Sequence, residues 1–361
     1  MRCSRFGAAL LALLFLVLAG PVGPSLAQTA QAPAAVAPAA EPPPAALLDR
    51  TGNDADMWRA VRRGADGYVS IPNRNAAQLI QSEGDNWRTV RNGPYQTWAG
   101  WIILGMTGLL ALFFAIRGRV RVDRGFSGIR IERFNAFERF AHWLTAISFV
   151  VLALTGLNLV FGRALLMPLM GKEAFATMTF WGKYTHDYTS FAFMLGLVII
   201  FVLFVLQNFP NRHDFVWLAK GGGMIGNAHP PAKKFNAGQK ILFWLVILCG
   251  LSLSLSGLQL LFPYQFPFFE STFTFLNGIL GLDLPVALEP VHEQQLATLW
   301  HGFMGALMTA LIIAHIYIGT IGMEGAFSAM GDGTVDLNWA REHHNLWVAD
   351  MEKRGGLPAD D

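Results

Sequence analysis

The sequence predicts an all-α membrane protein, and three observations carry that prediction. Apolar residues make up 53% of the 361-residue chain and charged residues only 14%, and the mean hydropathy is +0.37. Five apolar stretches are each close to the ~20 residues that a helix needs to cross a bilayer. Positive charge is concentrated in alternate loops between them. This composition excludes an ordinary soluble protein, and the net charge of +2 without basic–aromatic clusters predicts no nucleic-acid partner.

The first 27 residues are predicted to be a secretory signal peptide. A basic start with Arg2 and Arg5 precedes the apolar stretch FGAALLALLFLVLAG, and Ser25-Leu26-Ala27 forms a small-x-small cleavage site. An uncleaved membrane anchor is the alternative interpretation. Residues 28–48 are rich in alanine and proline, which is typical of an extended linker.

Residues 49–96 are polar enough to form a small periplasmic segment. The pattern WRxVRxG occurs there twice, beginning at Trp58 and at Trp87, which indicates a duplicated motif. No CxxCH motif is present, so a covalently attached c-type haem is excluded. An extra transmembrane helix is predicted to follow at 97–117.

The charges of the loops orient the predicted spans. These spans cover residues 98–116, 142–161, 187–206, 241–261 and 299–322. Loop 117–139 contains seven arginines and loop 207–239 contains four lysines or arginines, whereas loop 262–298 contains none. The positive-inside rule therefore places the first two loops in the cytoplasm, with the tail at 324–361. The signal peptide gives the same result, with the amino-terminal segment in the periplasm and the chain in a bacterial inner membrane.

Cysteine usage restricts the metal chemistry that the chain can support. Cys3 lies in the predicted signal peptide, and Cys249 is alone in an apolar span. One remaining cysteine cannot form an internal disulfide, an iron–sulfur cluster or a zinc–thiolate site. Any metal site must therefore use histidines or carboxylates.

Four of the nine histidines lie in or at the edge of predicted spans, where an ionisable residue indicates function: His142, His186, His301 and His315. His301 and His315 are 14 residues apart, which is about 21 Å of helix and nearly four turns, so they face nearly the same side. The predicted topology places His186 and His301 near the periplasmic face. It places His142 and His315 nearer the cytoplasmic face. The depths therefore predict two pairs, His186 with His301 and His142 with His315.

Two imidazoles at each of two depths fit the axial ligands of two b-type haems in a helical bundle. Small residues lie beside the histidines, as a flat porphyrin requires: Gly156, Gly302, Gly305 and Gly319. A zinc or copper transport site is the competing interpretation, but the spans lack the carboxylates and thiols that such a site adds. The other histidines lie in predicted loops or the tail, and the adjacent His343 and His344 are interpreted as an exposed surface pair.

Several segments resemble the gamma subunit of respiratory membrane-bound formate dehydrogenase, a dihaem cytochrome b. They are RFNAFERFAHWLTAISFVVLALTG (133–156), KKFNAGQKILFWLVILCGLSLSLSG (233–257), TLWHGFMGALMTALIIAHIYIGTI (298–321) and WAREHHNLW (339–347). The most specific parts are FNAGQK and the 14-residue histidine spacing. The resemblance implies a four-helix dihaem domain, here over residues 130–323, with His142, His186, His301 and His315 as the haem ligands.

The same resemblance implies a quinone pocket at the cytoplasmic end, on Asn236 and Gly238 of the FNAGQK motif. It also implies an iron–sulfur beta subunit and a molybdenum or tungsten alpha subunit that oxidises formate. The chain itself is then a non-catalytic subunit that passes electrons from the iron–sulfur subunit through two b haems to menaquinone or ubiquinone. Asn236 also fits the N-cap of the following span, and the two roles are compatible.

The chain departs from the short form of this family in two ways. Its amino-terminal additions resemble the longer variant, and the extra helix is expected to replace one that a partner subunit supplies elsewhere. Asp187 follows His186 where the familiar form has proline. Three alternatives remain open: the cytochrome b subunit of an uptake nickel–iron hydrogenase, a stand-alone quinol-oxidising cytochrome b, and a haem-free membrane transporter or assembly protein.

Overall fold

The computed structural model of the protein describes residues 83–223 and 229–355. The predicted signal peptide, the linker and the first WRxVRxG copy lie outside the described residues. Five helical segments are long and apolar enough to cross a membrane: Asn86–Arg117, Ala136–Leu165, Lys172–Gln207, Ala237–Leu261 and Pro290–Gly322. Each contains one predicted span, so the predicted all-α, five-span fold is confirmed.

The first spanning segment is a continuous helical run with a π-helical step. It consists of α1 (Glu83–Val90), a π-helix (Arg91–Tyr95) and α2 (Gln96–Arg117). Pro94 lies in the step, where its missing N–H breaks the regular i→i−4 hydrogen bonds. The second WRxVRxG copy, beginning at Trp87, is part of this helical run.

The remaining helices build the bundle and the loops at its ends. The long helices are α3 (Ala136–Leu165), α5 (Lys172–Phe204), α7 (Ala237–Leu261) and α9 (Pro290–Tyr317); α5 continues into a 3₁₀ turn at Val205–Gln207, and α9 continues into a π-helix at Ile318–Gly322. The shorter helices are α4 (Met167–Met170), α6 (Arg212–Ala219), α8 (Phe268–Leu280), α10 (Ser328–Gly331), α11 (Leu337–His343) and α12 (Asn345–Lys353). A 3₁₀ turn at Gly221–Gly223 follows α6. Two short strands, β1 (Arg130–Glu132) and β2 (Thr334–Asp336), complete the described elements.

Capping boxes define where α3, α6 and α7 begin. Asn135, Asn211 and Asn236 are the N-cap residues, and each is paired with an acidic or amide residue three positions later. The box satisfies backbone N–H groups that the first turn of a helix leaves unpaired. The patterns NAFE, NRHD and NAGQ therefore set the starts of these helices in the sequence itself.

The spanning helices pack in a definite order. α3 packs along α5, α5 contacts α7, α7 packs on α9, and α2 packs on the remaining side of α9. The other face of α2 is exposed along its length, at Trp98, Trp101, Leu109, Leu112 and Ile116. A continuous exposed apolar face on such a helix is suited to contact with lipid or with another protein. The extra helix is thus an outer helix of the bundle.

An ordered layer of loops lies at the end where α3 begins and α9 ends. β1 and β2 pair antiparallel, with Ile131 opposite Val335. Gly333, at φ +92°, precedes β2, and its carbonyl accepts the N–H groups of Arg133 and Phe134 at 2.8 and 3.1 Å. A Cβ at Gly333 would lie 2.5 Å from the carbonyl oxygen of Phe134, so this close approach requires glycine.

Candidate functional site

The structure brings the four predicted histidines together in two pairs. The ring centroids of His142 on α3 and His315 on α9 are 6.1 Å apart, with an interplanar angle of 65°. Those of His186 on α5 and His301 on α9 are 6.2 Å apart, at 70°. All four residues are half-buried. Helix α9 therefore contributes one ring to each pair.

His186 lies well inside its helix rather than at the edge, where the sequence placed it. Helix α5 begins at Lys172, fourteen residues earlier. The apolar pattern missed this part because Lys183 and Asp187 interrupt it, yet these two residues form an ion pair one turn apart on the same helix. The helix therefore extends beyond the stretch that hydropathy marks.

The separation of each pair fits one metal ion between two imidazoles. A first-row metal lies about 2 Å from an imidazole nitrogen, so two rings on opposite sides of one ion have centroids about 6 Å apart. Helix α9 makes few close backbone approaches to α3, although His315 and His142 meet between them. Paired histidines on helices with few close backbone approaches are compatible with a bis-histidine haem.

Hydroxyl groups orient both rings of the His186/His301 pair. The Thr155 hydroxyl lies 2.8 Å from Nδ1 of His186 and donates to the carbonyl of Val151 on its own helix. The Ser256 hydroxyl lies 2.9 Å from Nδ1 of His301 and likewise donates to a carbonyl four residues earlier. When the hydroxyl proton is used in the bond to the helix carbonyl, the hydroxyl accepts the Nδ1–H of the histidine. Each Nε2 then carries the free lone pair that binds a metal.

A glycine follows each of these hydroxyl residues and leaves room for the same ring. A Cβ at Gly156 would lie 3.5 Å from Cε1 of His186, and a Cβ at Gly257 would lie 3.3 Å from Cε1 of His301. Gly156 was predicted from the sequence to lie beside a haem, whereas Gly257 and both hydroxyl groups were not predicted. The signal was present: the quoted segments on α3 and α7 end in LTG and LSG.

The His142/His315 pair has different surroundings. Nδ1 of His142 is buried and has no hydrogen-bond partner within the described ranges. The ring of Trp143 meets it edge-on at 5.3 Å, and the Trp143 indole N–H donates to the carbonyl of Met330 at 2.9 Å. A Cβ at Gly319, one turn after His315, would meet no atom within 4 Å. This pair is therefore held by ring packing rather than by hydroxyl groups.

Gly302 allows a close contact between helices that was not predicted from the sequence. A Cβ there would overlap the hydroxyl of Tyr95, at the end of the π-helical step before α2. Gly302 thus lets the extra helix approach α9 closely, as small residues do between membrane helices. At Gly305, by contrast, a Cβ would meet no atom within 4 Å, so this residue keeps its face of α9 open beside His301.

Asn236 and Gly238 of the FNAGQK motif are both engaged in local structure. Oδ1 of Asn236 accepts the backbone N–H of Gln239 at 2.9 Å, and the Gln239 side chain accepts the Asn236 N–H at 3.1 Å. A Cβ at Gly238 would lie 2.9 Å from the indole of Trp217 on α6. The side-chain NH₂ of Asn236 is left as the donor available to a ligand, and Trp217 covers Gly238.

A buried contact between Arg133 and a neutral His344 was not predicted from the sequence. His344 is only 1% exposed, so its interpretation as an exposed tail residue was wrong. The Arg133 guanidinium donates to Nε2 of His344 and to the carbonyl of Lys234, each at 2.8 Å, and Nδ1 of His344 donates to the carbonyl of Lys233 at 2.7 Å. Burial lowers the pKa of Arg133 to about 9 and the pKa of His344 well below its usual value. A sequence signal for this burial was present, because the histidine lies between the two tryptophans of WAREHHNLW.

The fold and the histidine pairs define a multi-pass helical membrane protein with opposed imidazoles suited to haem. The chain belongs to the prokaryotic cytochrome b561 family, which matches residues 133–333. That range contains all four histidines as well as Thr155, Ser256 and their glycines. Membership of a cytochrome b family implies haem b.

Similar proteins include subunits of formate dehydrogenases. The cytochrome b556(Fdn) subunit of the nitrate-inducible formate dehydrogenase of Escherichia coli strain K12 is 27% identical over 226 residues, which cover 62% of this chain and 92% of that protein. The cytochrome b556(fdo) subunit of the same organism is 28% identical over 225 residues, covering 62% and 94%. The formate dehydrogenase cytochrome b556 subunit of Haemophilus influenzae is 26% identical over 223 residues, covering 60% and 82%.

Proposed function

We propose that this chain is the membrane cytochrome b subunit of a formate dehydrogenase, a non-catalytic subunit that carries electrons between an iron–sulfur partner and quinone. The observation that carries the proposal is the pair of opposed histidine sites that share α9, at 6.1 and 6.2 Å between ring centroids. The similarity to three formate dehydrogenase cytochrome b556 subunits is the reason for proposing formate dehydrogenase as the enzyme.

Two haems b are the proposed cofactors: His142 and His315 would hold one, and His186 and His301 would hold the other. A bound haem supplies one-electron redox chemistry through its iron. The chain supplies the rest: it holds four imidazoles at fixed positions, and it keeps His186 and His301 in the tautomer whose Nε2 is free. The apolar helices around the pairs exclude water from them.

The proposed orientation follows the loop charges. The arginine-rich loop before α3 lies in the cytoplasm of the cell, and the amino-terminal segment lies in the periplasm. The His142/His315 pair is then nearer the cytoplasm of an inner membrane, and the His186/His301 pair is nearer the periplasm. Electrons that enter on the periplasmic side and protons taken up from the cytoplasm would build membrane potential, storing about 2.3 kcal/mol per charge at 100 mV.

The proposed quinone pocket lies at the start of α7. Asn236 is the proposed hydrogen-bond donor, through the side-chain NH₂ that its capping role leaves available. Gly238 contributes by admitting the Trp217 indole, whose flat face suits an aromatic ligand ring. The pocket is on the same side of the bundle as the His142/His315 pair, because α3 and α7 both begin there.

The proposed partners are an iron–sulfur beta subunit and a molybdenum or tungsten alpha subunit, on which formate is oxidised. The proposed domain organisation has a signal peptide at 1–27, a linker at 28–48, a periplasmic segment at 49–96, an extra helix at 97–117, the dihaem domain at 130–323 and a cytoplasmic tail at 324–361. Helix α2 packs on α9, where it is proposed to take the place of a helix from a partner subunit.

A visible difference spectrum tests this function directly. Membranes containing the protein, compared with membranes lacking its gene, should show a b-type signal when formate is added and no larger one with dithionite. A signal with dithionite and hydrogen but not with formate would assign the chain to a hydrogenase instead. Absence of any gene-dependent haem signal would overturn the ligand assignment.

A further inference from the structure

We propose that Asp123, His229 and Glu342 form a binding site for one divalent first-row metal ion, best suited to Zn²⁺, in the loop layer outside the bundle. One ligand atom from each residue lies within 4.8 Å of the other two. Nε2 of His229 is 3.2 Å from Oδ2 of Asp123. The site is separate from the four bundle histidines and does not depend on the proposed function.

The ligand types favour zinc over calcium or magnesium. Imidazole nitrogen and carboxylate oxygen are both zinc ligands, and in a tetrahedral site the fourth position would be taken by water. Calcium and magnesium prefer sites made only of oxygen. Among divalent first-row ions, nitrogen- and oxygen-containing sites bind the later metals more tightly.

Glu342 is already fixed in position for such a role. It is 4% exposed, and its two carboxylate oxygens accept the backbone N–H groups of Asp123 and Arg124 at 2.9 and 3.0 Å. Each carboxylate oxygen has two lone pairs, so one remains on each oxygen after these bonds form. The bonds bring the loop that carries Asp123 against α11 with no metal required.

The segment that carries His229 is anchored to the same region. The N–H of Ala232 donates to the side chain of Asn345 at 3.1 Å, and the N–H of Leu346 donates to the carbonyl of Ala232 at 3.0 Å. Two hydrogen bonds to the start of α12 thus limit the movement of the chain three residues after His229. This anchoring lowers the conformational cost of binding a metal.

A further histidine lies beside the cluster with an unused nitrogen. Nε2 of His343 is buried and has no hydrogen-bond partner in the described part of the chain. His343 directly follows Glu342 in the chain, so it is next to one of the three proposed ligands. A bound cation would join three segments at this point: the loop before β1, the loop before α7, and α11.

Equilibrium dialysis of the purified, haem-loaded protein against Zn²⁺, with the affinity tag removed, tests the site. The wild type should bind one zinc that the double variant Asp123→Asn, His229→Ala binds at least tenfold more weakly. His213→Ala, which removes another loop histidine, is the matched control and should bind as the wild type does. Asp123 and His229 are exposed, so an unchanged haem spectrum should confirm that the double variant is folded.

Thermal unfolding provides an independent reading, because a ligand that binds only the folded state raises the unfolding temperature. Zinc should raise it in the wild type and in His213→Ala but not in the double variant. Equal zinc binding by the wild type and the double variant would overturn the proposal, as would a wild type that binds no zinc. Neither result bears on the formate-dependent spectrum, so the two proposals fail separately.

Discussion

The two histidine pairs have nearly the same separation but different supports. Nδ1 of His186 and Nδ1 of His301 each lie within hydrogen-bonding distance of a hydroxyl group, whereas Nδ1 of His142 is buried and unpartnered within the described residues. A hydrogen-bond acceptor on Nδ1 makes the imidazole a stronger electron donor to a metal. The helices thus set equal ligand spacing at both sites, while neighbouring side chains make the ligands chemically unequal.

The difference in hydrogen bonding predicts which of the two haems has the lower reduction potential. Stronger donation stabilises the oxidised metal and lowers its reduction potential. A haem at His186/His301 is therefore expected to have a lower potential than one at His142/His315. That order agrees with the proposed entry of electrons on the side of the His186/His301 pair.

The largest effect should come from removing one ligand of each pair in turn. His301→Ala and His142→Ala should each lose about half of the bound haem, because each removes one of two axial ligands at one site only. Haem content of the purified variants, measured per protein, checks this. After His301→Ala the remaining haem should have the higher potential, and after His142→Ala the lower one. His213→Ala should keep full haem content, and a His301 variant that retained both haems would contradict the assignment.

A smaller effect is expected from filling the space beside one ring. Gly257→Val places carbon atoms against His301, whose Cε1 already lies 3.3 Å from the position of a Cβ. The ring must turn from its position, so the haem at that pair should be bound less completely while the other is unaffected. Gly278→Val on α8 is the matched control, because a Cβ there meets nothing within 4 Å. If both variants keep full haem content, Gly257 does not position His301.

The smallest effect should come from removing the hydroxyl acceptors. Thr155→Val with Ser256→Ala should keep both haems but raise the potential of the lower one. If the loss of an outer partner changes the relative affinity for the oxidised metal tenfold, the shift is about 60 mV. A spectroscopic redox titration measures it. Thr309→Val, which removes a hydroxyl bonded only to its own helix, should leave both potentials unchanged. Equal shifts at both haems would show that the hydroxyls do not produce the difference.

The sequence predicted the spans and the partners of the histidines because both follow from local patterns. Helix rise converts the spacing of His301 and His315 into depth, and loop charge gives each helix a direction. The hydroxyl groups beside the histidine rings were not predicted, because Thr155 and His186, for example, are 31 residues apart and on different helices. Serine and threonine are ordinary in membrane helices, and only packing shows which of them faces a ring.

His344 illustrates the same limit in the loops. Its position in a polar tail predicted an exposed side chain, but the side chain is buried against Arg133 and the carbonyl of Lys233. The two tryptophans beside it in WAREHHNLW are local, but Arg133 and Lys233 are more than a hundred residues away, so no local pattern reveals these polar partners. Asn236 shows the opposite case: its capping role was predicted because a capping box is complete within four consecutive residues.

The sequence by itself determined the number of spans, the starts of three helices and the pairing of four histidines, because hydropathy, capping and helix periodicity act over short distances. Only the tertiary structure decided which hydroxyls orient His186 and His301, that Gly302 receives Tyr95, and that Asp123, His229 and Glu342 meet. These contacts join residues distant in the chain, and their geometry depends on how the helices and loops pack.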